Sequence, residues 1–160
     1  MTTTMHAEIG AAVIDEVEVS AYRIPTDLPE SDGTLEWGAT TLVVVELQAG
    51  DQWGIGLGYA DASTACLIRN KLADVVRGSN PLEIPAVGCR LGHAVRNLGR
   101  PGVAAMAVSI VDIALWDLKA RLVGLSLVDL LGAARSEVPI YGSGGFTSYT
   151  DEQLCGQLAG

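Results

Sequence analysis

The sequence predicts an α+β fold: three antiparallel strands first, then three helices, then one further strand–turn–helix unit. Three observations carry this. Hydrophobic residues alternate with period two over Ile14–Tyr22, and two β-rich runs, Thr40–Gln48 and Trp53–Ala60, flank a glycine-containing turn. Helical spacing replaces that alternation from Ala65 onward. A Pro-Ile-Tyr run followed by glycines, Val138 to Gly145, opens a different kind of segment near the end.

The first strand is read over Ile14–Tyr22, where Val17, Val19 and Ala21 alternate with Glu16, Glu18 and Ser20. From Arg23 to Gly38 the chain carries Pro25, Pro29 and Gly33 among Thr26, Asp27, Glu30, Ser31 and Asp32. That composition predicts a loop of about fifteen residues, and loops of that length are usually functional or disordered. Thr40–Gln48 and Trp53–Ala60 flank Gly50-Asp51 and read as a β-hairpin. Gly54, Gly56 and Gly58 alternate along its second arm. No helix follows at the place a phosphate loop requires. The stripe is therefore read as a strand face that another backbone approaches closely.

Ala65, Ile68, Leu72, Val75 and Val76 fit one helical face, with Gly78 as a stop signal. A second helix is expected from about Pro85 to Asn97, since proline suits a first turn. The third is expected after Pro101-Gly102. Val103, Met106, Ala107, Ile110, Val111, Ala114, Leu115, Leu118 and Leu122 keep the i, i+3, i+4, i+7 template until Gly124. A short turn, Leu127–Leu131, stops at Gly132. Val138–Tyr141 then reads as a buried-type strand, Gly142–Gly145 as a tight turn, and Thr150 or Asp151 as the cap of a last helix. A strand of the parallel type needs parallel neighbours, and none remain in the sequence, so the end at Gly160 reads as an interruption.

Composition narrows the function classes. Ten Lys and Arg stand against nineteen Asp and Glu, a net charge of −9, which repels nucleic acid. No apolar run is long enough to span a bilayer, and the N-terminus lacks the pattern of a signal peptide. Cys66, Cys89 and Cys155 form no C-x-x-C motif and are odd in number. They are expected as buried or half-buried free thiols in a cytoplasmic protein.

The stretch from Ala105 to Gly132, AMAVSIVDIALWDLKARLVGLSLVDLLG, closely resembles the signature of the mandelate racemase/muconate lactonizing branch of the enolase superfamily. Ser126 departs from it, where the family usually has proline, and the departure is expected to affect only the turn. Arg23-Ile-Pro-Thr-Asp and Asp32-Gly-Thr resemble the lid of that family's first domain. Arg96 to Gly102 resembles the lead-in to its long helix, and Val138 to Phe146 the first strand of its barrel. The resemblance implies a capping domain over residues 1–135 and the first strand and helix of an incomplete (β/α) barrel over 136–160. A complete barrel takes about 250 residues. It further implies that the complete enzyme uses Mg²⁺ to stabilise an enediolate, formed when a base removes the proton α to a carboxylate. The implied substrate is a small carboxylate or acid sugar, and the implied assembly a homo-oligomer. The basic residues and the metal carboxylates of that family sit on later barrel strands, so no catalytic or metal residue is assigned here.

The candidate substrate-side residues are Glu30, Asp32 and Trp37 in the lid, Tyr59 beside a second lid element near Tyr59–Ala62, and Ser143 in the turn after the barrel strand. For Trp37 and Tyr59 the alternative is packing of lid against cap. Asp27, Glu30, Asp32 and Glu36 are read as solvated loop residues rather than a metal cluster, because nothing fixes the geometry a hard cation needs. Asp112 and Asp117 are five apart and share no helical face, which favours capping or salt-bridge roles. Lys119 and Arg121 are assigned to the same surface. Arg96 and Arg100 are read as structural hydrogen-bond donors, with anion binding as the alternative. His6 and His93 have no partner at readable spacing. A rival reading keeps the chain as a non-catalytic α+β module that only self-associates.

Overall fold

The computed structural model describes residues 12–159. His6 and the start of the chain therefore lie outside the described residues. The strands are β1 (Glu16–Ser31), β2 (Glu36–Ala49) and β3 (Gln52–Tyr59), in one sheet of order β1-β2-β3. The helices are α1 (Ala62–Leu67), α2 (Ala73–Val76), α3 (Ile84–Ala94), α4 (Val103–Val123), α5 (Leu127–Leu131) and α6 (Asp151–Ala159), with a π-helical turn, Ile68–Leu72, joining α1 to α2.

The expected loop from Arg23 to Gly38 is instead a hairpin. β1 continues to Ser31, β2 starts at Glu36, and only four residues turn between them. Pro25 and Pro29 misled the reading. Proline is excluded from central strands but tolerated on an edge, and β1 is an edge strand of this sheet.

Described by contacts, the chain forms two units. One comprises residues up to Tyr22 together with Thr41–Gly132; the other comprises Arg23–Thr40 together with Ala133–Gly160.

In the first unit, β2 and β3 pair antiparallel from Leu42↔Tyr59 to Ala49↔Gln52, so Gly50-Asp51 is a two-residue turn. Gly50 has φ of 60° and Asp51 does not share the positive sign, the arrangement of a type II′ turn. The inward positions of β2 are Val43, Val45, Leu47 and Ala49, all buried. Opposite them in register lie Gly58, Gly56 and Gly54. The expectation of close backbone approach is met here, because α4 lies directly on the glycines. A Cβ added at Gly56 would sit 2.0 Å from the Ile110 carbonyl oxygen, and one at Gly54 would sit 2.4 Å from the Leu118 amide nitrogen.

Ala107, Ile110, Val111, Ala114, Leu115 and Leu118 of α4 complete the core with Ile68, Leu72 and Val76, and with Ile84, Val87 and Leu91 of α3. Spacings of four residues between Ile68, Leu72 and Val76 drift around an ideal α-helix. The π-helical turn has more residues per turn, so these side chains stay on one face. At the end of α4, Gly124 is left-handed at φ 67°, and its N–H and that of Leu125 donate to the Arg121 and Ala120 carbonyls, a Schellman ending. Ser126 caps α5 by accepting from the Asp129 N–H, so the departure from proline replaces one way of starting a helix with another.

In the second unit, Thr150 resolves the choice of cap. Its hydroxyl accepts from the Gln153 N–H while Gln153 Oε1 accepts from the Thr150 N–H, a capping box at the start of α6. Val138–Tyr141 makes no sheet ladder in this structure. Ile140 is 92% and Tyr141 90% exposed, as befits a strand-type sequence with no strand to pair with.

The three cysteines are free, but all are exposed rather than buried. Each sits on the outward side of a helix, where helical periodicity outweighs the usual preference of cysteine for the interior.

Candidate functional site

The hairpin tip is built by Asp32. Its Oδ1 accepts from the Thr34 hydroxyl at 2.6 Å, the Thr34 N–H at 2.8 Å and the Leu35 N–H at 3.0 Å. Gly33, at φ 89°, supplies the backbone turn. The Thr34 hydroxyl first, then the Leu35 and Thr34 amides, stabilise the ionised carboxylate and lower the pKa of Asp32. Two strand positions flank this turn. The Trp37 indole N–H donates to Glu30 Oε2 at 2.6 Å, which ties the two arms together. Glu30 and Asp32 thus both direct a carboxylate into the hairpin itself, and the hairpin presents aromatic and hydroxyl surface.

The same unit brings in residues 146–149. The Phe146 ring meets the Trp37 ring edge-on at 5.7 Å between centroids, and Tyr149 meets Phe146 at 5.4 Å. Both are T-shaped arrangements that aromatic quadrupoles favour. The Thr147 N–H and hydroxyl both donate to the Ser31 carbonyl at 2.9 Å, the two side-chain oxygens lie 2.8 Å apart, and the Ser148 hydroxyl donates to the Pro29 carbonyl at 2.7 Å. Ser31 is a buried polar residue; the Thr26 hydroxyl oxygen is also buried, without a hydrogen-bond partner among the described residues.

Of the candidate residues, then, Glu30, Asp32 and Trp37 come together on one hairpin. Ser143 is exposed in the segment before Phe146. Tyr59 ends β3 in the other unit, 73% exposed, just before Asp61 caps α1 through the Ser63 N–H. Ser31, Phe146, Thr147 and Tyr149 were not singled out from the sequence. Hydroxyl and aromatic residues scattered through a turn-rich segment carry no periodic signal, and the pairs Ser31–Thr147 and Trp37–Phe146 each span more than a hundred residues.

The remaining candidates resolve into structural roles, with two exceptions. Asp117 accepts from the Ile55 N–H at 2.8 Å and pairs with Arg121 at 2.9 Å. It thereby occupies a ladder position on the exposed edge of β3, a device that discourages unwanted strand pairing. Lys119 donates to the Leu82 carbonyl at 3.1 Å and lies over the Trp116 ring. His93 does have a partner: Arg96 Nη1 lies 2.7 Å from its Nε2. Arg100, expected as a structural hydrogen-bond donor, makes no side-chain hydrogen bond among the described residues; it lines a small cleft of about 230 Å³ between α3 and α4, with Gly88, Gly92, Ala105 and Asp112. Asp112 is the other exception, with neither an ion pair nor a cap among the described residues; burial alone raises its pKa. Among the described residues, no three His, Cys, Asp or Glu side chains converge as a metal site. No helix among the described residues is long and apolar enough to cross a membrane.

Comparison with known proteins matches this architecture. Residues 16–132 match the mandelate racemase/muconate lactonizing enzyme N-terminal domain, and the chain belongs to that family within the enolase superfamily. It is 34% identical over 155 residues to the L-talarate/galactarate dehydratase of Salmonella typhimurium, covering 90% of this chain and 39% of that enzyme. A mandelate racemase/muconate lactonizing enzyme-like protein from Rubrobacter xylanophilus superposes with a TM-score of 0.87 at 56% identity, over 91% of this chain and 41% of that one. An L-talarate dehydratase from Polaromonas sp. JS666, complexed with Mg and L-glucarate, superposes with a TM-score of 0.80 at 28% identity, over 93% and 43%. The chain thus spans about two-fifths of the length of these relatives.

Proposed function

We propose that this chain is the capping portion of a cytoplasmic, Mg²⁺-dependent enzyme that removes the proton α to the carboxylate of an acid sugar and then eliminates water or racemises. The reading rests on one observation: a capping-domain match over residues 16–132 in a chain whose relatives include acid-sugar dehydratases. The base and the metal ligands are assigned to barrel strands that these 160 residues do not include, and residues 136–160 to the opening of that barrel. When bound there, Mg²⁺ would supply positive charge to the developing enediolate. The part of this chain is different. Glu30, Asp32 and Trp37 of its hairpin, and Tyr59 and Ser143 each by itself, are assigned substrate-side roles, excluding water and selecting shape.

The test is an assay of a full-length product against a panel of acid sugars, with and without EDTA. Metal-dependent turnover is expected, and none from the 160-residue chain alone. Absence of any metal-dependent turnover overturns the reading.

The exposed run Val138–Tyr141 favours a second reading, in which this product acts as a self-associating module. Size-exclusion chromatography of the chain alone is then expected to show association, and a stable compact monomer contradicts it.

A further inference from the structure

We propose that Thr147 is the positioning residue of the β1–β2 hairpin: it clamps Ser31 and so holds the hairpin tip and residues 146–149 as one body. The substrate-side consequence rests on the function proposed above; the clamp itself does not.

Among the described residues β1 has a partner strand on one side only, so alternate carbonyls on its other side lack ladder partners there. Pro29 and Ser31 are two apart and present their carbonyls in the same direction. Ser148 and Thr147 take those two carbonyls, at 2.7 and 2.9 Å. Two residues thus do the work of a neighbouring strand.

The hydroxyl protons have one consistent arrangement. The Thr147 hydroxyl donates to the Ser31 carbonyl, the Ser31 hydroxyl donates to Thr147 Oγ1, and the Gly33 N–H donates to Ser31 Oγ at 3.3 Å. A chain of this kind is mutually polarising. It carries the hold from Thr147 through buried Ser31 to Gly33, the residue that turns the tip. On either side of the tip lie Glu30 and Trp37, and Trp37 also rests against Phe146, next to Thr147. The tip is therefore fixed by a hydroxyl clamp rather than left as a free flap.

The test is hydrogen exchange, followed by mass spectrometry, on the 160-residue chain carrying Thr147→Val, Thr147→Ser or neither. Valine keeps the shape and removes the hydroxyl; serine keeps the hydroxyl. With valine, exchange over residues 28–37 is expected to accelerate by about tenfold, the size expected for losing one or two partly buried hydrogen bonds. Exchange over 103–123 should stay unchanged, and serine should restore protection at the tip. Unchanged exchange at 28–37 with valine overturns the proposal. So does acceleration that spreads equally to 103–123, which marks a general loss of stability.

In a full-length enzyme, the same valine variant is expected to raise KM several-fold with kcat preserved. If wild type and variant both lack turnover, the proposed function fails while the exchange result still decides the clamp.

Discussion

Two seams in this molecule are made in opposite ways. Between β3 and α4, three glycines leave one strand face without side chains from Gly54 to Gly58, and a helix fills the space. Between the hairpin and residues 146–149, side chains make the contact, through hydroxyls on edge carbonyls and rings edge to edge. The first seam is held by apolar burial and has no slack. The second is held by directional bonds at a largely exposed surface, each worth about 1 kcal/mol net. Substitutions should therefore act through crowding at the first seam and through lost donors or acceptors at the second.

The largest effect is expected from Gly56→Ala. Its Cβ would meet the Ile110 carbonyl oxygen at 2.0 Å, and neither backbone can yield cheaply. A loss of about 3 kcal/mol or more in urea denaturation is expected, at or above the usual range for overpacking. Gly88→Ala is the matched control. Nothing lies within 4 Å of its added Cβ, and it sits within helix α3, so a gain of up to about 1 kcal/mol is expected from helix propensity. Equal stability of the two variants would break the account of the first seam.

Trp37→Phe probes the second seam. It keeps a ring near Phe146 but removes the indole N–H given to Glu30. A cost of about 1 kcal/mol is expected, seen as faster hydrogen exchange within residues 23–40 and none in α4. Spread of the effect into α4 would show that the two seams are not separate.

The smallest effect is in pH dependence, where Asp112 and Asp32 have opposite signs. Burial raises the Asp112 pKa above 3.8, so the folded chain holds that proton more tightly than the unfolded chain. Its contribution to stability therefore falls as pH rises through the interval between 3.8 and the raised value. Asp32 has a lowered pKa, so its contribution is fully present above 3.8 and is lost as pH falls through the folded value. Melting temperatures between pH 3 and 7 should show Asp112→Asn removing the first slope and Asp32→Asn the second. An unchanged profile in either variant rejects that assignment.

Much of the fold was legible because its signals are periodic and local. The β2–β3 hairpin, the long helix with its Gly124 stop, and the glycine stripe with its close approach all follow from spacing within a few residues. The errors share a cause: each depended on neighbours distant in sequence. Pro25 and Pro29 read as loop because edge position is a property of the sheet. Cys66, Cys89 and Cys155 read as buried because composition says nothing about which side of a helix faces out. The clamp of Thr147 on Ser31 spans 116 residues and involves two common residue types, so no motif announces it. Asp117 was placed correctly among structural residues, but its partner, the Ile55 amide, was visible only in the fold.

The bare face of β3 also works as an error check on its own alignment. A slip of one residue exchanges the two faces of a strand. On β3 that would turn Trp53, Ile55, Leu57 and Tyr59 toward a helix that leaves no room for even a methyl group at Gly54 or Gly56. A misaligned hairpin with an ordinary inward face of valines would lose some packing and persist. Here it cannot close on α4 at all, so the glycines rule out every slip that exchanges the faces of β3.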